Sequence, residues 1–110
     1  MEYETRVVNG VAAVIVPRGR LTMASAPELK ALIERAVGAG RTLVVVDLGA
    51  TAFMDSSGLG ALISGLRSTR TAGGDLRIAR PTEQVSMVLE LTTVDLVLGP
   101  FGSVEEALIG

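Results

Sequence analysis

The chain lacks histidine, cysteine and tryptophan among its 110 residues. Without histidine or cysteine it has no Ser-His-Asp or Cys-His catalytic group and no disulfide bond. The usual nitrogen and sulfur ligands of zinc and iron are also missing, so composition leaves open only a metal bound by oxygen atoms. We expect a protein that is not an enzyme and that holds no cofactor and no metal.

Positive charge is sparse and scattered. The chain has nine arginines and a single lysine, Lys30, and its net charge is -2. No cluster of these residues would neutralise a phosphate backbone. We therefore expect no nucleic-acid partner.

Long apolar runs are missing as well. The longest, residues 11–16 and 43–46, fall short of the roughly 18 residues that cross a bilayer, so they predict buried strands and no direct membrane insertion. Residues 1–6 have neither the basic region nor the apolar run of a secretory signal. We expect a cytoplasmic protein.

The composition that is present favours one compact unit. Hydrophobic residues make up 48% of the chain and charged residues 20%, a balance typical of globular domains. A chain of this length buries one layered core but not two. We predict a single domain over residues 1–110.

The first half of the chain predicts a hairpin and a helix. Residues 3–8 alternate, Asn9-Gly10 is a turn dipeptide, and residues 11–16 form an apolar run, which together predict an antiparallel hairpin. Residues 18–24 follow a proline without a clear period and predict a loop. Ser25-Ala26-Pro27-Glu28 has the pattern of a capping box and predicts the start of a helix.

The second half alternates strands and helices. Residues 42–48 are apolar on both faces, as in a central parallel strand, and residues 56–71 have helical spacing. Further on we predict a strand, a helix, a short strand and a final helix, at residues 75–79, at 81–91, at 96–98, and after the capping box Ser103-Val104-Glu105-Glu106. The order ββαβαβαβα predicts an α/β fold with a mixed, mostly parallel sheet and one antiparallel N-terminal strand.

The turn before the second helix is the candidate site. Asp55 is suited to cap this helix, which places the Ser56 hydroxyl at the first helical position, pointing outward. A phosphate there would be tolerated because helix N-termini favour negative charge. The same pattern is also typical of an ordinary helix cap, and Gly58 and Gly60 are consistent with close packing.

The string Phe53-Met54-Asp55-Ser56-Ser57-Gly58-Leu59-Gly60 resembles the phosphorylation-site signature of bacterial anti-sigma factor antagonists, members of the STAS domain family. The resemblance implies a STAS-like fold and a protein that, when unphosphorylated, binds an anti-sigma factor with serine kinase activity. It implies Ser56 as the acceptor, with Ser57 as fallback, and a PP2C-type phosphatase that restores the unmodified form. The partner-binding residues it implies are Asp55, Ser56, Ser57, Gly58, Leu59, Thr22 and Met23.

One position departs from the family pattern. Members often carry an aspartate after the Gly-x-Leu stretch, in a loop close to the phosphorylated serine, whereas this chain has Thr22 after Gly19-Arg20-Leu21. The missing aspartate bears on either the efficiency of phosphoryl transfer to the serine or the identity of the kinase. An ordinary loop residue is the alternative interpretation of Thr22.

Other functions fit the residues less well. A receiver-like phosphoacceptor at Asp47 would need additional carboxylates and a lysine near a late strand, and Lys30 lies in the first helix. Ser56 as an enzymatic nucleophile has no histidine to activate it, and Lys30 has no evident route to the turn. STAS-like domains also act as scaffolds in sensory complexes or as accessory subunits of membrane transport systems, and this alternative stays open.

Overall fold

The structure is a computed structural model that describes residues 1–110. Five strands and five helices follow one another in the order ββαββαβααα. The strands are β1 (Glu2–Val8), β2 (Ala12–Leu21), β3 (Leu43–Asp47), β4 (Thr51–Met54) and β5 (Asp75–Ala79). The helices are α1 (Ala26–Gly38), α2 (Ser56–Thr71), α3 (Glu83–Leu91), α4 (Asp95–Leu98) and α5 (Val104–Ile109).

The strands form one mixed sheet in the order β1-β2-β3-β5, with β4 paired to the far end of β2. β1 and β2 are antiparallel, and the other pairs are parallel. The predicted fold class is confirmed. Asn9 and Gly10 both have positive φ, 52° and 72°, the conformation of a tight turn whose twist matches its strands.

The central strand β3 is buried on both faces. Val44 and Val46 lie in a core under α1, α2 and α3, whereas Val45 lies in a smaller core on the opposite face, which Val104 and Ala107 of α5 cover. A strand covered on both sides gains burial from every residue. This explains why residues 43–46 are continuously apolar.

Two predictions about β2 and its neighbour were wrong. The predicted loop after Pro17 is strand as far as Leu21, and the prediction omitted β4. Pro17 lies between the stretch that pairs with β3 and the stretch that pairs with β4, which begins at Gly19 beside a register shift. Proline is tolerated in a strand at such an irregularity.

The predicted strand at residues 96–98 was also wrong, because these residues belong to α4. Leu98 is buried, but Leu96 and Val97 are exposed, so the apolar run does not form a core strand. A parallel bridge between Ala79 and Phe101 is what extends the sheet beyond β5.

Helix α3 begins at Glu83, two residues later than predicted. No helix is both long enough and apolar enough to span a membrane.

Candidate functional site

The turn between β4 and α2 is held by the carboxylate of Asp55. Its Oδ1 atom accepts hydrogen bonds from the backbone N–H groups of Ser57, at 2.9 Å, and Gly58, at 3.0 Å. The first turn of a helix leaves such N–H groups without a backbone partner. The predicted N-cap role of Asp55 is therefore confirmed.

The second carboxylate oxygen of Asp55 joins α2 to the loop after β2. The backbone N–H of Met23 donates to Oδ2 at 3.3 Å. The backbone N–H of Asp55 in turn donates to the carbonyl of Leu21 at 3.2 Å. The loop that contains Thr22 and Met23 thus lies directly beside the turn, as the family resemblance implied.

Ser25 organises this loop from inside. Its Oγ atom accepts from the backbone N–H of Thr22 at 2.9 Å and donates to the carbonyl of Arg20 at 2.9 Å. Helix α1 begins at Ala26 as predicted, but the predicted capping bond is wrong, because the Ser25 side chain makes no bond to the N–H of Glu28. The Ser25 hydroxyl already makes hydrogen bonds within the loop, to the backbone of Thr22 and Arg20.

The sole tyrosine braces the same loop from β1. The Tyr3 hydroxyl donates to the carbonyl of Ser25 at 2.8 Å. Burial, reinforced by the charge of Glu28, raises the pKa of Tyr3 to about 12. The neutral phenol is therefore the form that the fold favours.

Gln84 of α3 holds the other side of the turn. Its Oε1 atom accepts from the backbone N–H of Met54 at 2.8 Å, and its Nε2 atom donates to the Met54 carbonyl at 3.1 Å. The pair satisfies both backbone groups of the last strand residue before Asp55. The role of Gln84 was not predicted, since no local sequence pattern places α3 against β4.

The residues after Asp55 divide between surface and core. Ser56 is exposed and Ser57 half-buried, whereas Gly58 is buried and Leu59 is only 8% exposed. The side chain of Leu59 lies in the main core, so it anchors α2 instead of facing outward. A Cβ atom at Gly58 would lie 2.8 Å from the Leu21 carbonyl oxygen, which explains the glycine by close packing.

A shallow groove of about 450 Å³ runs between α1 and α2 beside the turn. Met23, Lys30 and Ser57 line it, together with Gly60 and Ser64. Lys30 was predicted to have no evident route to the turn. The packing of α1 against α2 places it in the same groove as Ser57, but it makes no hydrogen bond to Ser56 or Ser57. The helical spacing of residues within α1 does not predict this position of Lys30.

Asp47 lies elsewhere and is fully engaged. Arg80 donates to both of its carboxylate oxygens at 3.0 Å, and the Gly49 N–H donates at 3.0 Å. The hydrogen bonds and the charge of Asp47 raise the pKa of Arg80. A buried carboxylate in a bidentate arginine pair is a structural group, which agrees with the rejection of Asp47 as a phosphoacceptor.

A family model described as the STAS domain matches residues 2–107. The chain belongs to the STAS domain family. One relative, from Thermotoga maritima, is named as a candidate anti-sigma factor antagonist. It is 25% identical over 107 residues, which cover 96% of this chain and 94% of that protein.

Solved structures share the STAS fold of this chain. SpoIIAA of Bacillus superposes in its unphosphorylated form with a TM-score of 0.84 at 23% identity, covering 97% of this chain and 93% of that one. Its phosphorylated form gives 0.76 at 22%, covering 97% and 96%. A sulfate transporter family protein from Wolinella succinogenes gives 0.78 at 19%, covering 94% and 86%. At these identities the likeness concerns the fold alone.

The STAS fold brings the predicted site residues to one end of the molecule. Asp55 contacts the backbone of Met23, Ser57 and Gly58, and Ser56 stands exposed between them in the chain. Met23 leaves 76% of its surface exposed. An exposed hydroxyl, an exposed thioether and a fully bonded carboxylate form a surface suited to contact with another protein.

Proposed function

We propose that this STAS protein is a cytoplasmic anti-sigma factor antagonist. In its unphosphorylated form it binds an anti-sigma factor that is also a serine kinase, and phosphorylation of Ser56 ends the binding. The observation that carries the proposal is the exposed Ser56 at the first position of α2, in a turn held by the three hydrogen bonds of Asp55. The STAS family membership and the name of the Thermotoga maritima relative support it.

The turn suits a serine that a kinase modifies. The Ser56 oxygen attacks the γ-phosphorus of ATP, the bond to the ADP oxygen breaks, and the hydroxyl proton passes to a base of the kinase. Such a transfer depends on positioning, and a hydroxyl on a capped helix start is presented in a fixed place. A PP2C-type phosphatase reverses the modification with water, releasing inorganic phosphate.

The phosphate is expected to spare the fold and oppose the complex. It adds a charge of about −1.5 to −2 at a helix N-terminus, where negative charge is stabilising by about 0.3–1 kcal/mol. A partner pressed against the turn would instead meet this dianion next to the Asp55 carboxylate. An apolar or acidic contact there loses its complementarity.

Met23 is the apolar contact of the proposed binding surface. It is exposed, its loop is tied to Asp55, and thioether side chains adapt to varied partners. Thr22 sits beside it without the charge that the family often has there. We propose that the missing carboxylate selects a cognate kinase whose surface does not require it.

The first test is phosphorylation by candidate GHKL-type anti-sigma kinases with ATP, followed by mass measurement. We expect one added phosphate on the wild type and on Ser57→Ala, and none on Ser56→Ala. Thr22→Asp is the companion variant, expected to raise the transfer rate with kinases that prefer the family pattern. If no cognate kinase adds a phosphate to Ser56, the proposed phosphorylation switch is refuted.

The second test separates binding from stability. Ser56→Glu is expected to weaken the kinase complex at least tenfold while moving the melting temperature by no more than a few degrees, because the added charge sits at a helix start. Ser56→Ala is the uncharged control and should keep its affinity. Equal affinities for the two variants would contradict the proposal.

The alternative function uses the same fold but no phosphorylation of Ser56. The same fold occurs in the Wolinella succinogenes transporter family protein, which favours a scaffold or accessory subunit as the alternative. In that case the protein would co-purify with a transport system or a sensory assembly. Ser56→Glu would then leave its partner binding unchanged.

A further inference from the structure

Strand β1 forms an open edge of the sheet. It is the last strand in the sheet order and pairs with β2 alone. Its seven residues span about 24 Å, and five of their side chains are exposed. The outer side of such a strand carries a row of backbone N–H and C=O groups without a strand partner, which makes it a template for a further strand.

The side chains of β1 alternate between the two faces of the sheet. Glu4 lies opposite Val16 and Arg6 lies opposite Val14 in the pairing with β2. Both valines belong to the smaller core, so Glu4 and Arg6 lie on the α5 side of the sheet. The residues between and beside them lie on the α1 side, namely Tyr3, Thr5 and Val7.

This order of side chains is complementary to itself. If two β1 strands run antiparallel about a two-fold axis at Thr5, then Glu4 lies opposite the partner's Arg6, and Arg6 opposite the partner's Glu4. On the α1 side, Tyr3 and Val7 oppose each other in the same way, and the two Thr5 side chains meet at the axis. Opposite charges, an aromatic ring beside a β-branched side chain, and two threonines are all favourable cross-strand pairs.

The neighbouring registers are not complementary. A two-fold axis at Glu4 places the two Glu4 carboxylates opposite each other, and an axis at Arg6 does the same with the two guanidinium groups. Like charges directly opposite are destabilising. Charged side chains on an edge strand usually prevent pairing, but here opposite charges two residues apart permit one register and oppose the next ones on either side.

The charges of β1 are available for this contact. Arg6 forms no salt bridge within the chain. Glu4 accepts from Arg18 through Oε2 at 3.0 Å, which leaves Oε1 free for a second arginine. The pair of Glu4 and Arg18 is exposed, so a partner can approach it.

We propose that the β1 edge binds a second copy of this chain, in a two-fold dimer whose sheet continues across the two β1 strands. The contact is isologous, so it closes at two copies and does not propagate into a fibre. A stable interface needs about 800 Å² per partner, more than one strand edge supplies. The dimer is therefore weak and reversible.

The dimer does not depend on the proposed phosphorylation. Ser56 follows β4, which pairs with residues 19–21 of β2, whereas β1 pairs with residues 12–18. The β1 edge contains none of the residues around Ser56. Failure of phosphorylation and failure of dimerisation are therefore separate results.

The first test is analytical ultracentrifugation of the full chain from micromolar to millimolar concentration. We expect a reversible equilibrium between monomer and dimer, with concentration-dependent amide chemical shifts and slower amide hydrogen exchange in β1. A monomer at every concentration, assembly beyond the dimer, or a dimer whose shifts lie outside β1 would overturn the proposal.

Charge reversal tests the register. Arg6→Glu and Glu4→Arg each place like charges opposite each other in the dimer, so each is expected to weaken self-association at least tenfold. Arg67→Glu is the matched control, because it makes the same charge change at an exposed arginine of α2, and its dimer should stay within twofold of the wild type. Equal effects of Arg6→Glu and Arg67→Glu would refute the contact.

Mixing the two reversed variants gives the sharpest result. The Glu4→Arg chain carries arginine at both positions and the Arg6→Glu chain carries glutamate at both, so each opposes its complement in a mixed dimer. We expect a one-to-one heterodimer from two variants that each stay monomeric alone, with melting curves showing that both are folded. No association in the mixture would contradict the register.

A variant at the axis is independent of the Glu4–Arg18 salt bridge. Thr5→Arg places two arginines opposite each other in the dimer and changes neither Glu4 nor Arg18. We expect it to weaken self-association at least tenfold. A dimer of unchanged affinity would contradict a two-fold axis at Thr5.

Discussion

Asp55→Ala should weaken both the helix start and the loop that faces it. The substitution removes two capping bonds, to Ser57 and Gly58, and loss of an N-cap costs about 0.5–2 kcal/mol. It also removes the 3.3 Å bond from Met23, which at an exposed position adds about 0.5 kcal/mol. We expect a total loss of about 1–2.5 kcal/mol in the free energy of unfolding.

Urea denaturation and thermal melting measure this loss. For a domain of this size about 1–2.5 kcal/mol corresponds to a fall in melting temperature of roughly 4–12 °C. Asp55→Asn is the matched control, because its amide oxygen still accepts the two capping bonds from Ser57 and Gly58. Its amide nitrogen cannot accept the bond from Met23, and the charge–dipole attraction of about 0.3–1 kcal/mol is also lost.

Amide hydrogen exchange gives the site-specific readout. In Asp55→Ala we expect faster exchange at Met23, Ser57 and Gly58, because each N–H loses its acceptor. If Asp55→Ala and Asp55→Asn cost the same, or if the Met23 amide exchanges at its wild-type rate, then the carboxylate does not hold the two segments together as described.

Two further predictions concern packing and pH. Gly58→Ala should lower the free energy of unfolding by about 1–3 kcal/mol, because its Cβ atom overlaps the Leu21 carbonyl. Gly60→Ala, where a Cβ atom meets no heavy atom within 4 Å, should raise the free energy of unfolding by about 0.5–1 kcal/mol through helix propensity. Urea denaturation measures both variants, and effects of the same sign would contradict the described packing. Because the pKa of Tyr3 is raised from 10.0 to about 12, its contribution to stability is complete below pH 10 and is lost as pH rises through about 12. Phenolate absorbance follows the titration, and Tyr3→Phe should remove this pH dependence.

The features predicted correctly depend on neighbours in the chain. The Asp55 cap, the bounds of α2 and the bond from the Glu106 N–H to the Ser103 hydroxyl each arise within four residues. Local chemistry of this kind is readable because few competing partners exist. The predicted capping bond of Ser25 was wrong because competing partners do exist there. The Ser25 hydroxyl bonds instead to the backbone of Thr22 and Arg20.

The features that were missed depend on distant segments. Strand β4 exists because the end of β2 offers it a partner, and its four residues have too few side chains for a period. Gln84 and Lys30 reach the site only through the packing of α3 on β4 and of α1 on α2. The apolar run 96–98 looked like a strand because periodicity over three residues does not distinguish strand from helix.

The bond from Tyr3 to Ser25 gives the molecule a natural optical probe. The chain has one tyrosine and no tryptophan, so its intrinsic emission comes from a single phenol. That phenol connects through the Ser25 residue to the backbone of Thr22, two hydrogen bonds away. Displacement of the loop by a partner is therefore observable as a change in fluorescence, without any label on the protein.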